Sequence, residues 1–488
     1  MNLQGWADKR RAMRAENEEA FHSHNISLDL PTIQAEWNTP VTETSLLSRA
    51  SVIMRVGLLD LESGTGAFHV ELIMQRVGKL LGVRVRPNVM LTSLEATLAD
   101  NDQRMTEIVD VPSASVSTRR IWHMEYFCDW FYEAFGKEHP YNVAAAPLMR
   151  TSIPDLPEGA VPTLGQVHAM LDAVEYAKKP YIHIQHGAAA AMACASFTFL
   201  LGGGPYDMVA ALFGAFASQT VRTYMISRHY TQYVTTALIV LVAGFVAIGT
   251  LRLISFIDPS ALSHDTAYIG AMLFILPTLP FLTGGMDVAK LDYQSAVQRW
   301  THSLVVMTVA TMAAWGVAAT VDLNPEAFPQ STLPLGLLII LRVIASFTGV
   351  YFYSLLWNAP WRMAFVAGCV GAIANTVRLE LIDLAGLEPV VAAFIAATLV
   401  GLLASAWKKY AERTTAHSFN FPHHAMTFTA VAIMVPGFYM YQAMYNLGSM
   451  QIDNALDWIF RASMVVIALP AGLAFSRFIS SRSWRYEV

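Results

Sequence analysis

Two short segments repeat one polar phrase about 156 residues apart: GAFASQTVR at 214–222 and GAIANTVR at 371–378. In each segment a small residue, a hydrogen-bonding side chain and an arginine follow at intervals of three or four, so they share one helix face. The polar members of these faces are candidates to bind or gate a small substrate with a carboxylate: Ser218, Arg222, Asn375 and Arg378. The alternative is that the small residues pack helices together and the arginines extend to the membrane interface.

The composition places these segments in a membrane. Of the 488 residues, 54% are hydrophobic and 14% are charged, against about 25% charged in soluble proteins. The net charge of −5 comes without a basic stripe or an RNA-binding motif, so we expect no nucleic-acid partner. The first residues lack the apolar core of a secretory signal, which predicts that the N-terminal part stays in the cytoplasm.

The character of the chain changes near residue 180. We expect residues 1–45 to form a mobile arm, because they lack sustained periodicity. Residues 46–180 predict a helix, a glycine turn and a second helix, then short runs typical of a small sheet, and finally further helices. We therefore predict a cytoplasmic α+β domain at 46–180, followed by the membrane part and a cytoplasmic tail at 481–488.

The membrane part contains about ten runs that are long enough to cross a hydrocarbon layer of about 30 Å. These predicted spans are 187–203, 207–225, 233–256, 267–283, 300–320, 333–356, 361–382, 389–407, 425–445 and 458–477. Lysines and arginines concentrate in the loops on one side, and the positive-inside rule then places both termini in the cytoplasm.

The ten spans divide into two copies of five, in two membrane repeats at 181–325 and 326–480. PYDM at 205–208 recurs as PWRM at 360–363, and LPFLTGG at 279–285 parallels MVPG at 434–437. Because five is odd, the second copy enters from the opposite side, which predicts inverted repeats that rock around a midplane site. The alternative is a scaffold in which the duplication serves only packing.

Residues that interrupt helices are the second sequence feature that indicates a transport site. Matching residues that interrupt helical hydrogen bonding occur in the fourth and ninth spans: Pro277, Pro280, Gly284 and Gly285, then Pro436 and Gly437. Paired breaks indicate a transport site, although a plain kink is the alternative.

Three charged residues of the membrane part are further candidates. Arg342 lies well inside an apolar run, where a functional role is the default and a structural ion pair the alternative. Asp207 and Asp287 lie at span ends near the expected breaks and could carry a coupling proton, or they could simply be solvated.

Together these features resemble the threonine/serine exporter family over roughly residues 46–478. LLDLESGTGAFHVE at 58–71 is similar to its N-terminal signature, with the motif residues Glu62, Gly64, His69 and Glu71, and MVPG is similar to its proline–glycine phrase. The first half has LTGG at 282–285 instead of that phrase, which leaves the substrate open.

The resemblance implies a proton-coupled exporter of threonine, serine or a similar small metabolite in a prokaryotic plasma membrane, or an exporter of small dicarboxylates. Its partners would be the substrate, protons, the lipid bilayer and, as an open option, further copies of the chain. We expect no cofactor and no metal. The two other hypotheses are a membrane-anchored hydrolase that uses Glu62, His69 and Glu71, and a structural or sensor protein without flux.

Overall fold

The computed structural model of the protein describes residues 28, 30–111, 116–135, 161–177, 180–264, 266–321, 323, 333–413 and 421–485. Most of the predicted mobile arm (1–27 and 29) and the end of the predicted tail (486–488) lie outside these residues. The chain forms two compact units. The first unit contains residues up to 115 and 123–177, and the second contains 116–122 and 178–488.

The first unit combines helices with one antiparallel sheet. Its helices are α1 (Pro31–Ala35), a 3-10 turn (Val41–Glu43), α2 (Leu46–Glu62), α3 (Ala67–Leu80), most of α4 (Thr118–Phe135) and α5 (Leu164–Glu175). Its strands are β1 (Arg84–Val89), β2 (Ser93–Ala99) and β3 (Arg104–Asp110), in the spatial order β1-β2-β3. The first two long helices and the strands lie where the sequence pattern predicted them.

Helix α2 forms the centre of this unit. Ser45 caps its N-terminus by accepting a hydrogen bond from the Ser48 N–H, and almost every residue of the helix is buried. On β2 the side chains alternate, so that Leu94, Ala96 and Leu98 are fully buried. A helix buried all round needs partners on every side, and in this unit it contacts α3, α5 and β2.

The second unit is built almost entirely from helices. They are α6 (His183–Leu200), α7 (Pro205–Ser227), α8 (Gln232–Ile254), α9 (Ala267–Gly270), α10 (Thr278–Ala289), α11 (Tyr293–Val321), α12 (Leu335–Leu356), α13 (Trp361–Asp383), α14 (Pro389–Arg413), α15 (His423–Val431), α16 (Gly437–Gly448), α17 (Ile452–Ser480) and α18 (Arg482–Arg485). Three 3-10 turns, Pro259–Ser263, Leu273–Ile275 and Ala432–Met434, complete it.

Helix lengths recur between the two halves of this unit. Helices α7 and α13 each have 23 residues, α10 and α16 each have 12, and α11 and α17 each have 29. Leu291 and Met450, 159 residues apart, are both in the left-handed region, with φ of 67° and 60°. Such a conformation is uncommon for non-glycine residues. Its recurrence after α10 and after α16 therefore indicates that the two halves of the unit have similar backbone structure.

Within the described residues, six helices are long and apolar enough to cross a membrane, namely α8, α11, α12, α13, α14 and α17. The pair Ala267–Ile275 and Thr278–Ala289, bent by 55°, forms a seventh if it is one broken span. The protein is thus a polytopic helical membrane protein. Each of the ten predicted spans overlaps helical structure, but α6, α7 and α15–α16 do not combine the length and the hydropathy of these six helices.

Candidate substrate site at two helix breaks

Two helices of the second unit are interrupted in the same way. At Leu276-Pro277-Thr278 the Thr278 N–H donates to the Leu276 carbonyl over 2.8 Å, and at Val435-Pro436-Gly437 the Gly437 N–H donates to the Val435 carbonyl over 2.8 Å. The prolines have nearly equal backbone angles, φ −77° and ψ 59° at Pro277 and φ −80° and ψ 55° at Pro436. Both turns are inverse γ-turns, and a proline favours them because it cannot donate to the helical ladder.

The position of the first break corrects one prediction. The break lies at Pro277, whereas Pro280 lies in the first turn of α10 and Gly284 and Gly285 lie within that helix. These glycines serve close packing instead, since an added Cβ would lie 2.9 Å from the Trp300 ring and 2.2 Å from Pro470, respectively. The predicted alignment of LPFLTGG with MVPG was therefore shifted, because Pro277 and Pro436 are the equivalent prolines, 159 residues apart.

The two breaks contact each other. A Cβ added to Gly437 would lie 2.2 Å from Leu276 Cδ1, so no larger residue fits there without movement of Leu276. Next to this contact, the rings of Tyr268 and Tyr441 meet edge to face, with centroids 5.6 Å apart. The point at which the first half is interrupted is thus packed against the point at which the second half is interrupted.

The first turns of α10 and α16 begin at these breaks. The N-terminus of a helix carries partial positive charge, and it does so here although the N–H groups of Thr278 and Gly437 donate to the carbonyls of the turns. Half-helix N-termini at membrane depth are the groups that bind anionic substrates in transporters with broken helices. The arrangement suits the carboxylate of a small substrate.

The glycines of the two repeated segments pack against the residues that precede the breaks. A Cβ added to Gly214 on α7 would lie 2.7 Å from the Ala271 Cβ, and one added to Gly371 on α13 would lie 3.3 Å from the Ala430 carbonyl oxygen. Ala271 and Ala430 are again 159 residues apart, each shortly before a break. The glycines of GAFASQTVR and GAIANTVR therefore allow equivalent helices to approach the broken ones closely.

The polar residues of these phrases are bonded to protein. Ser218 Oγ donates to the Ile239 carbonyl of α8 over 2.7 Å. Asn375 Nδ2 donates to Ser346 Oγ over 2.9 Å, and its Oδ1 accepts from Arg378 Nε over 3.0 Å. The structure therefore favours helix packing as the role of Ser218 and Asn375 in this conformation.

Arg222 lies on α7 and is half-buried. Tyr353, the neighbouring residue nearest in charge interaction with it, is buried on α12. The Tyr353 hydroxyl is 3.2 Å from Thr278 Oγ1, at the start of α10. Pro277 is one of the four break residues that the sequence predicted, whereas Thr278 and Tyr353 did not stand out in the sequence.

A buried ion pair lies on α10 and α11. Arg299 Nε is 3.1 Å from Asp287 Oδ2, with side chains 4% and 0% exposed, and Arg299 Nη1 donates to Thr283 Oγ1 over 3.3 Å. The sequence singled out Asp287 but assigned Arg299 to a loop. A full ion pair in a membrane unit is costly to bury and is typical of functional positions.

Asp207 and Arg342 have structural partners. Asp207 Oδ2 accepts from the Gly204 N–H over 2.7 Å, at the start of α7, and lies 2.8 Å from His264 Nδ1. Arg342 pairs with Glu380 over 2.7 Å and also with Asp383, both on α13. The ion pairs of Arg342 join α12 to α13, in agreement with the structural alternative that the sequence left open.

In the first unit, His69 of the predicted motif lies between two acids. Its Nδ1 is 2.9 Å from Oδ2 of the fully buried Asp60, and its Nε2 is 3.5 Å from Glu125 Oε1. Burial lowers the pKa of His69, but the charges and hydrogen bonds of Asp60 and Glu125 outweigh it and raise the pKa to about 9. The imidazole is therefore a buried cation at neutral pH.

The neighbouring motif residues form the turn. Gly64 has φ +90°, a conformation that side chains rarely adopt, so glycine is required between α2 and α3. Thr65 Oγ1 donates to Asp60 Oδ2 over 2.9 Å, and Glu62 is buried at the end of α2. Glu71 is half-buried on α3. Asp60, which the sequence analysis passed over, is the residue that organises this motif.

We expect His69→Gln to change how stability depends on pH. A histidine whose folded pKa of about 9 exceeds its unfolded value near 6.5 stabilises the fold fully below pH 6.5 and loses this contribution as the pH rises through 9. The shift corresponds to at most about 3 kcal/mol. In detergent-solubilised full-length protein, the free energy of unfolding should fall over this range for the wild type but not for His69→Gln. His183→Gln, at an exposed site, should keep the wild-type slope, and an equal slope in His69→Gln would contradict the assignment.

Comparison with known families agrees with this architecture. The threonine/serine exporter model ThrE matches residues 51–142 and 156–321, and a second model, Threonine/Serine exporter ThrE_2, matches residues 342–479. The first match spans the N-terminal part and the first membrane half, and the second covers the other membrane half. Searches of curated proteins and of solved structures gave no significant match. With both models on one chain, this protein belongs to the threonine/serine exporter family, in a fused form.

Proposed function

We propose that this membrane exporter moves small amino acids, threonine and serine or close analogues, by alternating access between two inverted repeats. The observation that carries the proposal is the pair of breaks at Pro277 and Pro436, which share one backbone conformation and contact each other. Two half-helix N-termini that meet at membrane depth form a binding site for a carboxylate, the group that all amino acids share.

The inverted arrangement is supported by the order of the helices. Residues 181–325 and 326–480 each contain five predicted spans, and the broken helix is the fourth in each. Because five is odd, the two broken helices would enter from opposite sides, and α10 and α16 would extend from the midplane toward opposite faces. Movement of one repeat against the other would open the site to each side in turn.

Asp287 is the best candidate for coupling to protons. In the second half, the positions 159 residues beyond Asp287 and Arg299 are Asn446 and Trp458, so the ion pair has no charged equivalent there. Protonation of Asp287 would remove its attraction to Arg299 and loosen α10 from α11. We therefore place a single coupling site in the first repeat. Asp207, whose carboxylate caps α7, is the weaker candidate.

The remaining features of the proposal concern location and assembly. We place the protein in the plasma membrane of a prokaryote with both termini in the cytoplasm, as the lysine and arginine distribution favours. The α+β domain at 46–180 would then act on the cytoplasmic side as a regulator, a gate or an assembly surface. Assembly into homo-oligomers remains part of this proposal.

Efflux from vesicles that contain the purified chain tests the proposal. Labelled threonine, serine and a small dicarboxylate are preloaded separately, and efflux is measured with and without an imposed proton gradient against empty vesicles. We expect efflux of the two amino acids, accelerated by the gradient. Efflux of the dicarboxylate alone would favour that alternative substrate, and no efflux of any compound would refute the transport proposal.

The hydrolase hypothesis gains no support from the first unit. Both ring nitrogens of His69 face carboxylates, so the ring has no free lone pair with which to activate a nucleophile. Burial, reinforced by Asp60 and other nearby acids, raises the pKa of the Cys128 thiol well above its usual value, which keeps it protonated. We therefore propose no second function.

A further inference from the structure

A small cavity lies beside the contact between the two helix breaks. Its volume is about 20 Å³, and its walls come from both halves of the second unit. The lining residues are apolar or small apart from Thr311 and Tyr441, and include Leu276, Ala310, Ala314 and Gly437. A cavity of this volume holds one group about the size of a water molecule.

One residue that lines the cavity has a hydroxyl without a partner. Within the described part of the chain, Tyr441 Oη is buried and has no hydrogen-bond partner, although the residue is only 3% exposed. Thr311, the other hydroxyl of the wall, donates to the Met307 carbonyl over 2.8 Å. A buried hydroxyl without a partner costs about 1–3 kcal/mol, so a retained one is often a ligand-binding group.

A tyrosine one turn further along the same helix provides the contrast. Tyr445 Oη donates to the Leu323 carbonyl over 3.3 Å. The two tyrosine rings are stacked, with centroids 6.3 Å apart, so they share similar surroundings. Of these two hydroxyls, only that of Tyr441 lacks a hydrogen-bond partner.

We propose that this cavity receives the side-chain hydroxyl of the transported amino acid, with Tyr441 as its hydrogen-bond partner. The inference rests on the proposed export function and adds the residues that would determine specificity. The hydroxyl of a serine-like or threonine-like side chain satisfies Tyr441 Oη, while the carbon atoms stay at the apolar edge of the cavity and its small volume excludes larger groups.

The position of the cavity explains how the side chain and the carboxylate of one substrate molecule are bound at the same time. Gly437 lines the cavity and is the first residue of α16. A substrate with its side-chain hydroxyl in the cavity therefore has its carboxylate close to the N-terminus of α16, where the helix dipole favours negative charge. The helix end binds what all amino acids share, and Tyr441 selects among their side chains.

Tyr441→Phe tests the inference through a ratio of rates. Threonine and 2-aminobutyrate differ only in the hydroxyl group, and a site built to bond a hydroxyl discriminates strongly against the analogue without it. Efflux of both is measured from vesicles that contain wild type, Tyr441→Phe or the matched control Tyr445→Phe. We expect the threonine preference to fall at least tenfold in Tyr441→Phe, with 2-aminobutyrate efflux retained, and to stay unchanged in Tyr445→Phe.

The outcomes separate this inference from the transport proposal. An unchanged ratio in Tyr441→Phe, or an equal fall in Tyr445→Phe, would overturn the role of Tyr441 while export stands. Absence of efflux of both amino acids from wild-type vesicles would instead refute the transport proposal. Ala314→Val, which narrows the cavity without touching Tyr441, should slow threonine more than serine, and equal slowing would contradict the size limit.

Discussion

Gly437→Val should reduce threonine efflux to the level of empty vesicles. The first added carbon would lie 2.2 Å from Leu276 Cδ1 and 3.1 Å from Leu273 Cδ2, where the two broken helices contact each other. A branched side chain cannot be accommodated there unless the two breaks move apart, because side chains in protein interiors are close-packed. The substitution therefore disturbs the site in which we place the substrate, at the beginning of α16.

Gly316→Val is the matched control for this substitution. Gly316 lies on α11, and a Cβ added there would meet no atom within 4 Å. It has the same change of residue type in a helix of the same unit, so general effects of valine on insertion should appear in both variants. Efflux by Gly437→Val at the rate of Gly316→Val, with equal protein in the membrane, would contradict the site.

Asp287→Asn should both destabilise the protein and abolish coupled transport. The substitution leaves Arg299 buried without its counter-ion, which typically costs about 3–5 kcal/mol. Thermal unfolding of the purified protein measures the loss of stability. Asp457→Asn, in an exposed pair with Arg461 on α17, should change stability by less than about 0.5 kcal/mol.

A double variant separates stability from coupling. Asp287→Leu combined with Arg299→Met removes both charges and leaves no orphaned ion, so most of the stability should return. If the pair carries the proton, efflux in this variant should no longer respond to an imposed pH gradient. A double variant with wild-type stability and a wild-type response to the gradient would show that the ion pair is only structural.

The sequence predicted the six long apolar helices of the second unit because their signals are local. Long apolar runs mark the helices of the second unit, and the glycine turn between α2 and α3 follows from residues next to each other in the chain. The similarity between the two halves of the second unit was also detectable, because the sequences of residues 214–222 and 371–378 are alike.

The position of the first break and the partners of the charged residues depend on contacts between distant segments. Pro277 and Pro280 both occur in the predicted span 267–283, and either proline could interrupt the helical hydrogen bonds. The sequence alone therefore did not identify which of them forms the break. Arg299 was assigned to a loop because the predicted span began at residue 300, and its partner Asp287 lies 12 residues earlier, beyond a turn at Leu291. Ser218 donates to the Ile239 carbonyl on another helix, a contact that its position in the sequence does not reveal.

The most direct test of the central claim is the reactivity of a cysteine placed in the cavity between the breaks. Thr311→Cys is introduced after replacement of the native cysteines Cys128, Cys194 and Cys369, and is treated with a small polar thiol reagent with and without threonine. Met312→Cys, on the exposed face of the same helix, is the control. The account predicts that Thr311→Cys reacts and that threonine protects it, whereas threonine does not affect Met312→Cys. Reaction of Thr311→Cys that is independent of threonine, under conditions in which the protein exports it, would contradict a substrate site at the two breaks.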